Sequence, residues 1–349
     1  MQRSNPAALS SLFHGGTQIE REVALGLSPE PVGVLIVNWN SGPLLARCLD
    51  TLARQTLPPT RVLVVDNASS DGSEEAARRE GVELLLMASN LGFAEANNIG
   101  VKHLDNCVWI ALLNPDAFAE PEWLAALMSE TRKHPETASF ASRQILAGEP
   151  NTLDGTGDLY SVAGLAWRRH HGQPATLGLH SGEVFGPCAA AGLYRRHTFL
   201  EAGGFDPSFF CYFEDVDLAF RLRLLGHRSF YVAEAVVLHV GSALTGYRSE
   251  FAVFHGQRNM VWAFVKNMPA GLLGLYLGHH ILMNLASVAV LAARGQGGIA
   301  LRAKWAALRG LPQVLRARRG VQARRRVTAS QLREAMVRGV RAFGIAREG

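Results

Sequence analysis

Short apolar runs alternate with amphipathic stretches through the first 145 residues. Uninterrupted apolar runs of this kind are typical of strands buried in a parallel sheet, whereas apolar residues three and four positions apart predict helices. The predicted strands are 32–38, 61–65, 82–87 and 108–113. The predicted helices are 42–55, 73–80, 93–104 and 122–134. This alternation predicts an α/β fold with a mainly parallel central sheet flanked by helices.

The pattern changes after this region. Residues 146–212 are rich in glycine and are predicted to be less regular, and from residue 247 onward the pattern is helical to the end. A helix before Gly226 is expected to end there, because glycine is a natural residue just past a helix. The elements predicted in between are an extended piece near 183–187, helices over 196–202 and 215–225, and strands over 229–232 and 236–239.

Residues 270–293 contain no Lys, Arg, Asp or Glu. About 20 apolar residues are needed to span a bilayer. His279, His280 and Asn284 interrupt the run, however. A transmembrane span, an interfacial helix or hairpin, and a buried core helix therefore all remain open.

The net charge of +5 hides an asymmetry along the chain. Residues 294–349 contain 14 basic and two acidic residues, whereas residues 1–293 contain 21 basic and 28 acidic ones. Basic clusters next to a membrane segment bind anionic lipid and mark the cytoplasmic side. We predict that residues 268–349 are helical and associate with the cytoplasmic face of the inner membrane, peripherally or by one marginal insertion. No motif for nucleic-acid recognition is present, so nucleic acid is not an expected partner.

The N-terminus lacks the basic start and apolar core of a signal peptide, and residues 1–30 are expected to form a poorly ordered leader. The four cysteines have no disulfide or metal-binding spacing, so we expect free thiols. They are Cys48, Cys107, Cys188 and Cys211.

Polar residues follow the first two predicted strands. Asn40 comes after strand 32–38, and Asp66 and Asn67 come after strand 61–65. Ligands of open α/β sheets bind at the carboxyl ends of the strands, and Asp66 there can accept hydrogen bonds from a base or a ribose. Asn40 could equally cap the following helix. The first strand is followed by NWNSGP and not by GxGxxG, which excludes a typical nicotinamide dinucleotide site.

The next two strands also end in polar residues. Asn90 and Asn97 flank the start of helix 93–104, where they could line a phosphate site or simply be surface residues. Asn114 and Asp116 follow strand 108–113, and Asp116 could bind Mg²⁺ or Mn²⁺ that bridges a diphosphate. The alternative for Asp116 is a turn that caps the next helix.

An acidic cluster opens the helix predicted at 215–225. Glu214, Asp215 and Asp217 could complement the helix dipole. The aromatic residues of 209–213 would also place them beside apolar surface, which raises the pKa of a carboxyl group toward the range of a general base. His239 ends a strand and could bind a metal, although a lone histidine is more often structural.

Five motifs in this order resemble the inverting glycosyltransferase family 2, and most closely its rhamnosyltransferase-like branch. The motifs are VNWNS, VDNASSDGS, NLGFAEANN, NPD and GGFDPSFFCYFEDVDL. The resemblance covers about residues 31–267 and implies a GT-A glycosyltransferase domain with a Rossmann-like nucleotide-binding half.

The resemblance also implies roles for the candidate residues. Asp215 matches the catalytic base, and Glu214 would support it or contact the acceptor. Asp116 and His239 match metal-binding positions for Mg²⁺ or Mn²⁺, although Asn114 stands where the family motif DxD has its first acid. The residues expected to line the nucleotide-sugar pocket are Asn40, Asp66, Asn67, Asn90, Asn97, Asn114 and Asp116.

The implied function is the inverting transfer of rhamnose or another hexose from a dTDP- or UDP-linked sugar to a hydroxyl of a glycan or lipid-linked acceptor, in cell-surface polysaccharide biosynthesis. Two other functions remain open. One is a membrane protein that binds a nucleotide sugar without turnover. The other is a sugar nucleotidyltransferase, which would normally carry a basic, glycine-rich loop where this chain has NWNSGP.

Overall fold

The computed structural model describes residues 30–241, 246 and 249–339. The predicted leader lies outside the described residues except for Glu30, as do residues 340–349 of the basic tail. The four cysteines lie within the described part and are free, as predicted.

The first half of the chain forms the predicted parallel sheet, with strand order β3-β2-β1-β4. All residues of β1 are buried, as its apolar sequence requires. Elements that agree with the sequence prediction to within a few residues are β1 (Val32–Asn38), α1 (Leu44–Leu52), β2 (Arg61–Asp66), β3 (Val82–Leu86), α2 (Gly92–His103), β4 (Trp109–Leu113) and α3 (Trp123–Lys133).

The helix predicted over 73–80 is wrong, because only a short 3₁₀ helix forms at Ser73–Ala77. The backbone N–H of Ser73 donates to Asp71, and the Ser73 hydroxyl accepts from Asn38 at 2.9 Å. Such local side-chain bonds compete with regular helix formation.

The sheet continues through further strands, most of which the sequence did not reveal. Strand β11 pairs antiparallel with β4 on one side and β6 on the other, and β12 pairs parallel with β6. The region predicted to be irregular therefore contributes regular strands, whose pairing depends on distant partners. The strands of this sheet are β5 (Ala117–Ala119), β6 (Thr137–Leu146), β7 (Glu149–Gly155), β10 (Gly182–Val184), β11 (Ala191–Arg195) and β12 (Arg228–His239). A separate two-stranded sheet is formed by β8 (Asp158–Tyr160) and β9 (Ala166–Arg168).

The two strands predicted over 229–232 and 236–239 are one strand, β12, with a register shift between Val232 and Val236. A bulge of this kind bends a strand without ending it. The sequence pattern of a bulged strand is interrupted and therefore resembles two short strands.

The remaining elements are helices, and they pack on the sheet as one body. Residues on both sides of position 267, among them Phe220, Phe264, Met268 and Met283, belong to one buried apolar cluster. The basic C-terminal helices thus share a core with the α/β part. The helices are α4 (Arg196–Glu201), α5 (Glu214–Leu224), α6 (Glu250–Asn267), α7 (Ala270–Ala293), α8 (Gly297–Ala323) and α9 (Ala329–Glu334).

Helix α7 coincides with the uncharged run of the sequence. By length and composition alone it is able to cross a membrane, and only 17% of its most apolar window is buried. This exposure does not fit a buried core helix, and the transmembrane and interfacial interpretations stay predictions.

Candidate active site

One cavity of about 400 Å³ lies at the carboxyl end of β4 and the amino end of α5. Most of the ionisable residues of interest line this cavity. They are Asp116, Asp158, Arg168, Glu214, Asp215 and His239, and the predicted Asn114 lies beside them.

Asp215 is held in place by the backbone. Its Oδ2 accepts a hydrogen bond from the Ala189 N–H at 3.1 Å, and its Oδ1 accepts from the Val216 N–H at 2.8 Å. Burial raises the pKa of Asp215, and these hydrogen bonds oppose the rise by stabilising the carboxylate. The group is thus a fixed carboxylate with increased basicity.

Glu214 is the contrasting member of the pair. Its Oε2 is buried without a hydrogen-bond partner. Burial and the charge of Asp215 raise the pKa of Glu214 well above its usual range. Two adjacent carboxyl groups in different environments take different protonation states. The hydrogen bonds thus favour the carboxylate form at Asp215, and burial without a partner favours the protonated form at Glu214.

The loop before Glu214 has an unusual backbone. Phe210, Tyr212 and Phe213 have positive φ angles of 65°, 66° and 69°. The buried Asn259 amide donates to the carbonyls of Phe209, Cys211 and Tyr212 at 2.7–3.0 Å. Strained backbone of this kind persists only where its surroundings fix it, and such strain is frequent at functional sites.

Asp116 and His239 meet through strand pairing. His239 pairs with Ala117 across β12 and β5, so Asp116 lies next to it. His239 Nε2 is 3.3 Å from Asp116 Oδ1, but it is buried and makes no well-aligned hydrogen bond. This nitrogen therefore lies beside the Asp116 carboxylate without a hydrogen bond of good geometry.

Asp154 fixes the other side of the histidine ring. Its Oδ2 lies 2.7 Å from His239 Nδ1, and Arg168 also donates to it. Burial alone would raise the pKa of Asp154, but the hydrogen bonds from His171 and His239 and the charge of Arg168 lower it. Burial would lower the pKa of His239, but the hydrogen bonds and charges of Asp116 and Asp154 raise it. Asp154 orients the ring through Nδ1, so that a metal could replace the proton at Nε2.

Asp116 and His239 can supply part of the ligand set of a divalent cation. Within residues 30–241, 246 and 249–339 there is no group of three or more metal-binding side chains. A hard cation commonly takes one or two protein ligands and completes its shell with water and phosphate oxygens. The unpartnered Nε2 beside a carboxylate is suited to that arrangement.

Five of the predicted nucleotide-site residues lie outside the lining of this cavity and bond to the protein itself. Asp66 accepts from Asn38 at 2.8 Å, and the Asn67 amide donates to Asn90 at 2.8 Å. Asn40 accepts from the Ser70 N–H, and Asn97 donates to the Phe93 carbonyl. These bonds shape the loops at the ends of β1, β2 and β3.

Sequence reasoning missed Asp154, Asp158 and Arg168. Burial and the charge of Asp215 raise the pKa of Asp158 well above its usual range, which favours its protonated form. All three lie in the glycine-rich stretch without periodicity. The sequence feature that could have identified them is the high density of ionisable residues among the glycines from Asp154 to His171.

Comparisons with known proteins identify the family. Residues 33–200 match the model of "Glycosyl transferase family 2". The N-acetylglucosaminyl-diphospho-decaprenol L-rhamnosyltransferase of Mycobacterium tuberculosis is 32% identical over 248 residues, which cover 61% of this chain and 77% of the relative. The chain belongs to glycosyl transferase family 2. This glycosyltransferase is also 26% identical over 211 residues to the O-antigen chain rhamnosyltransferase RfbN of Salmonella typhimurium, covering 60% of this chain and 66% of the relative.

Solved structures show the same fold. A mannosyltransferase from Pyrobaculum calidifontis in complex with GDP-Man and Mn²⁺ aligns with a TM-score of 0.52 and 19% identity, over 85% of this chain and 86% of that chain. GalNAc-T7 with UDP, GalNAc and Mn²⁺ aligns with a TM-score of 0.56 and 16% identity, over 68% of this chain and about half of that one (48%). The glycosyltransferase therefore has the predicted GT-A fold.

Proposed function

We propose that this glycosyltransferase transfers rhamnose or another hexose from a nucleotide-diphosphate sugar to an acceptor hydroxyl with inversion. The observation that carries the proposal is that the fixed Asp215 carboxylate and the Asp116–His239 pair line one cavity. The names of the two rhamnosyltransferase relatives support rhamnose as the sugar. A dTDP- or UDP-linked donor follows as the substrate class to test first.

Asp215 accepts the proton of the acceptor hydroxyl in this proposal. The hydroxyl oxygen forms the new bond to the anomeric carbon as the bond from that carbon to the diphosphate oxygen breaks. The nucleoside diphosphate leaves from the opposite face, so one displacement inverts the configuration. Glu214, as a neutral acid, donates a hydrogen bond that orients the acceptor.

Asp116 and His239 would hold Mg²⁺ or Mn²⁺, which when bound neutralises the negative charge of the leaving diphosphate. The nucleotide is proposed to lie over the carboxyl ends of β1 and β2, where Asn40, Asp66 and Asn67 build the loops. Asn90, Asn97 and Asn114 complete the proposed wall of this pocket. The support is the position of these strand ends in an open α/β sheet.

Asp154→Asn is expected to weaken Mn²⁺ binding by about 10- to 100-fold, the usual effect of removing an outer carboxylate that orients a metal-binding histidine. The substitution removes the charge that keeps the proton on Nδ1 of His239. Titration of the protein with Mn²⁺, followed by the electron paramagnetic resonance signal of free Mn²⁺, measures this directly.

Asp158→Asn is the matched control. Asp158 lines the same cavity, and its pKa is raised by burial and by the charge of Asp215, which favours the neutral form that asparagine resembles. Its Mn²⁺ affinity should stay within about threefold of the original. Equal affinities in the Asp154→Asn variant and the original protein would contradict the role of Asp154.

The acceptor is proposed to be a glycan or lipid-linked saccharide of cell-surface polysaccharide biosynthesis, at the cytoplasmic face of the membrane. The support is that the Mycobacterium tuberculosis relative is named for a diphospho-decaprenol acceptor and the Salmonella relative for the O-antigen chain. The exposed apolar helix α7 is consistent with a location next to lipid.

A donor screen tests the proposed function. The purified enzyme, supplied with Mn²⁺, should release nucleoside diphosphate from one or a few hexose donors and not from the others. With a saccharide acceptor, nuclear magnetic resonance should show the opposite anomeric configuration in the product. Binding of a donor without turnover would favour the non-catalytic alternative, and pyrophosphate release from a nucleoside triphosphate would favour a nucleotidyltransferase.

A further inference from the structure

The outward face of helix α8 carries two parallel rows of residues. Leu301, Leu308 and Leu315 recur every seven residues, and each is followed directly by an arginine. The leucines are 61%, 54% and 47% exposed, and Trp305 between them is 60% exposed. The three arginines are exposed as well: they are Arg302, Arg309 and Arg316. Seven residues are nearly two helical turns, so each row runs along the helix axis.

The opposite face of α8 packs on α6 through small residues. Ala300, Ala303 and Ala307 are buried there, and Gly310 lies against Trp262, whose ring leaves no room for a side chain. A surface helix of a soluble protein normally turns its large apolar residues toward the core. In α8, Leu301, Trp305, Leu308 and Leu315 point outward instead. A continuous exposed apolar row of this kind is typical of a surface that binds a partner or a membrane.

Helix α7 presents a second apolar surface beside α8. Two of the polar residues that interrupt its sequence, His280 and Asn284, face the protein, whereas His279 is exposed. His280 Nδ1 lies 2.8 Å from the Ala163 carbonyl, and the ring stacks on Phe264 at 3.9 Å. The Ser287 hydroxyl bonds to Gln257 at 2.9 Å. The residues left half or more exposed on α7 are Leu275, Ile281, Leu282, Leu285 and Val290.

We propose that the exposed surfaces of α7 and α8, here called the Leu-Arg face, dock on an anionic bilayer with both helices lying flat in the interface. Leucines and a tryptophan beside a row of arginines are the composition of an interfacial helix. Insertion across the bilayer would place the arginine row in hydrocarbon along the full length of α8, at high cost. Lying flat places the leucines among the acyl chains and the arginines among the phosphates.

Charge also decides between a bilayer and a second copy of the chain as the partner. Two copies that meet through this face would bring their arginine rows together, and like charges repel. An anionic lipid surface instead attracts each arginine. The bilayer is therefore the partner that the face fits.

The Leu-Arg face adjoins the candidate active site. The Lys304 ammonium donates to the Gln257 carbonyl at 2.9 Å, and the neighbouring Gly256 lines the cavity. A saccharide on a lipid carrier could then enter from the membrane surface on which the enzyme rests. This consequence rests on the proposed function, but the docking itself does not.

Vesicle flotation of the full-length chain tests the docking. The protein should float with vesicles that contain phosphatidylglycerol and much less with pure phosphatidylcholine. Replacing Arg302, Arg309 and Arg316 together by Gln should weaken binding to anionic vesicles by about 100-fold, because each basic residue contributes near such a surface. Replacing Leu301, Leu308 and Leu315 together by Ser should weaken it at least tenfold.

The control variants place the same changes on other exposed positions. They are Leu86, Leu177 and Leu179 replaced by Ser, and Arg54, Arg78 and Arg228 replaced by Gln. The controls should bind as the original protein does. Donor hydrolysis and the melting temperature show whether each variant keeps its fold. Flotation does not depend on catalysis, so it tests the docking even if the original protein hydrolyses no donor.

Three results would overturn the proposal. The first is equal flotation of the Leu-Arg variants and the controls. The second is a dimer of the original protein that the leucine variant abolishes, which would assign the face to a second copy. The third is that α7 resists a protease added outside sealed vesicles and also a protease enclosed within them, which would show that α7 spans the bilayer.

Discussion

Asp215→Asn is expected to lower the rate of sugar transfer by about 100-fold or more, the usual scale for a positioned general base. The amide keeps the size of the side chain but cannot accept the acceptor proton. The hydrogen bond from the Ala189 N–H can persist through the amide oxygen, so the loop geometry and donor binding should change little. Turnover with saturating donor and acceptor, and donor affinity by calorimetry, measure the two effects separately.

The pH dependence of turnover provides the decisive check on this variant. A general base works only when it is unprotonated, so the rate should fall as the pH falls through the raised pKa of Asp215. Asp215→Asn should lose this acid limb, and its residual rate should be flat over the same range. The exposed Asp105→Asn is the control and should keep the full rate and the acid limb. An unchanged acid limb in Asp215→Asn would assign the base to another group.

Removal of divalent cations is expected to abolish sugar transfer, and Mn²⁺ or Mg²⁺ should restore it. The expected loss is large because the diphosphate leaves with its negative charge uncompensated. Asp116→Asn should behave like the chelated enzyme and should require far more Mn²⁺ for its remaining activity. Rates across a titration of free Mn²⁺ give both the maximal rate and the concentration for half-activation.

The same titration separates the role of the ion from damage to the fold. If Asp116→Asn lost activity while its half-activating Mn²⁺ concentration stayed unchanged, Asp116 would act in another way than as a ligand. Full activity of the original enzyme in excess chelator would contradict the metal altogether. It would also explain why Asn114 stands in place of the first acid of the DxD motif, since a mechanism without metal does not need that ligand.

Much of the fold was predictable because its signals are local. A buried parallel strand needs apolar residues on both faces, so β1, β2, β3 and β4 appear in the sequence as short apolar runs. Helices α1 and α2 were predicted from apolar residues spaced three and four positions apart. The alternation of strands and helices along the chain was enough to predict the α/β class.

The acidic motifs were also visible in the sequence, but their protonation states were not. Glu214 and Asp215 are adjacent in the chain, yet two backbone N–H groups reach Asp215 and none of the described residues bonds to the Oε2 of Glu214. Burial and local hydrogen bonds set the pKa of a carboxyl group. Only the folded surroundings could therefore distinguish the proposed base from the proposed acid.

The chain alone shows the succession of strands and helices, the acidic motifs at their ends and the apolar and basic character of the C-terminal region. Which of these residues meet depends on the assembled fold. Asp116 reaches His239 through the pairing of β5 with β12, and Asp154 reaches the same histidine from β7. The fold also turned His280 of α7 toward the protein and left the leucines of α7 and α8 outside. Contacts between distant segments have no local signal, because the free energy that fixes them comes from burial and hydrogen bonding in the assembled fold.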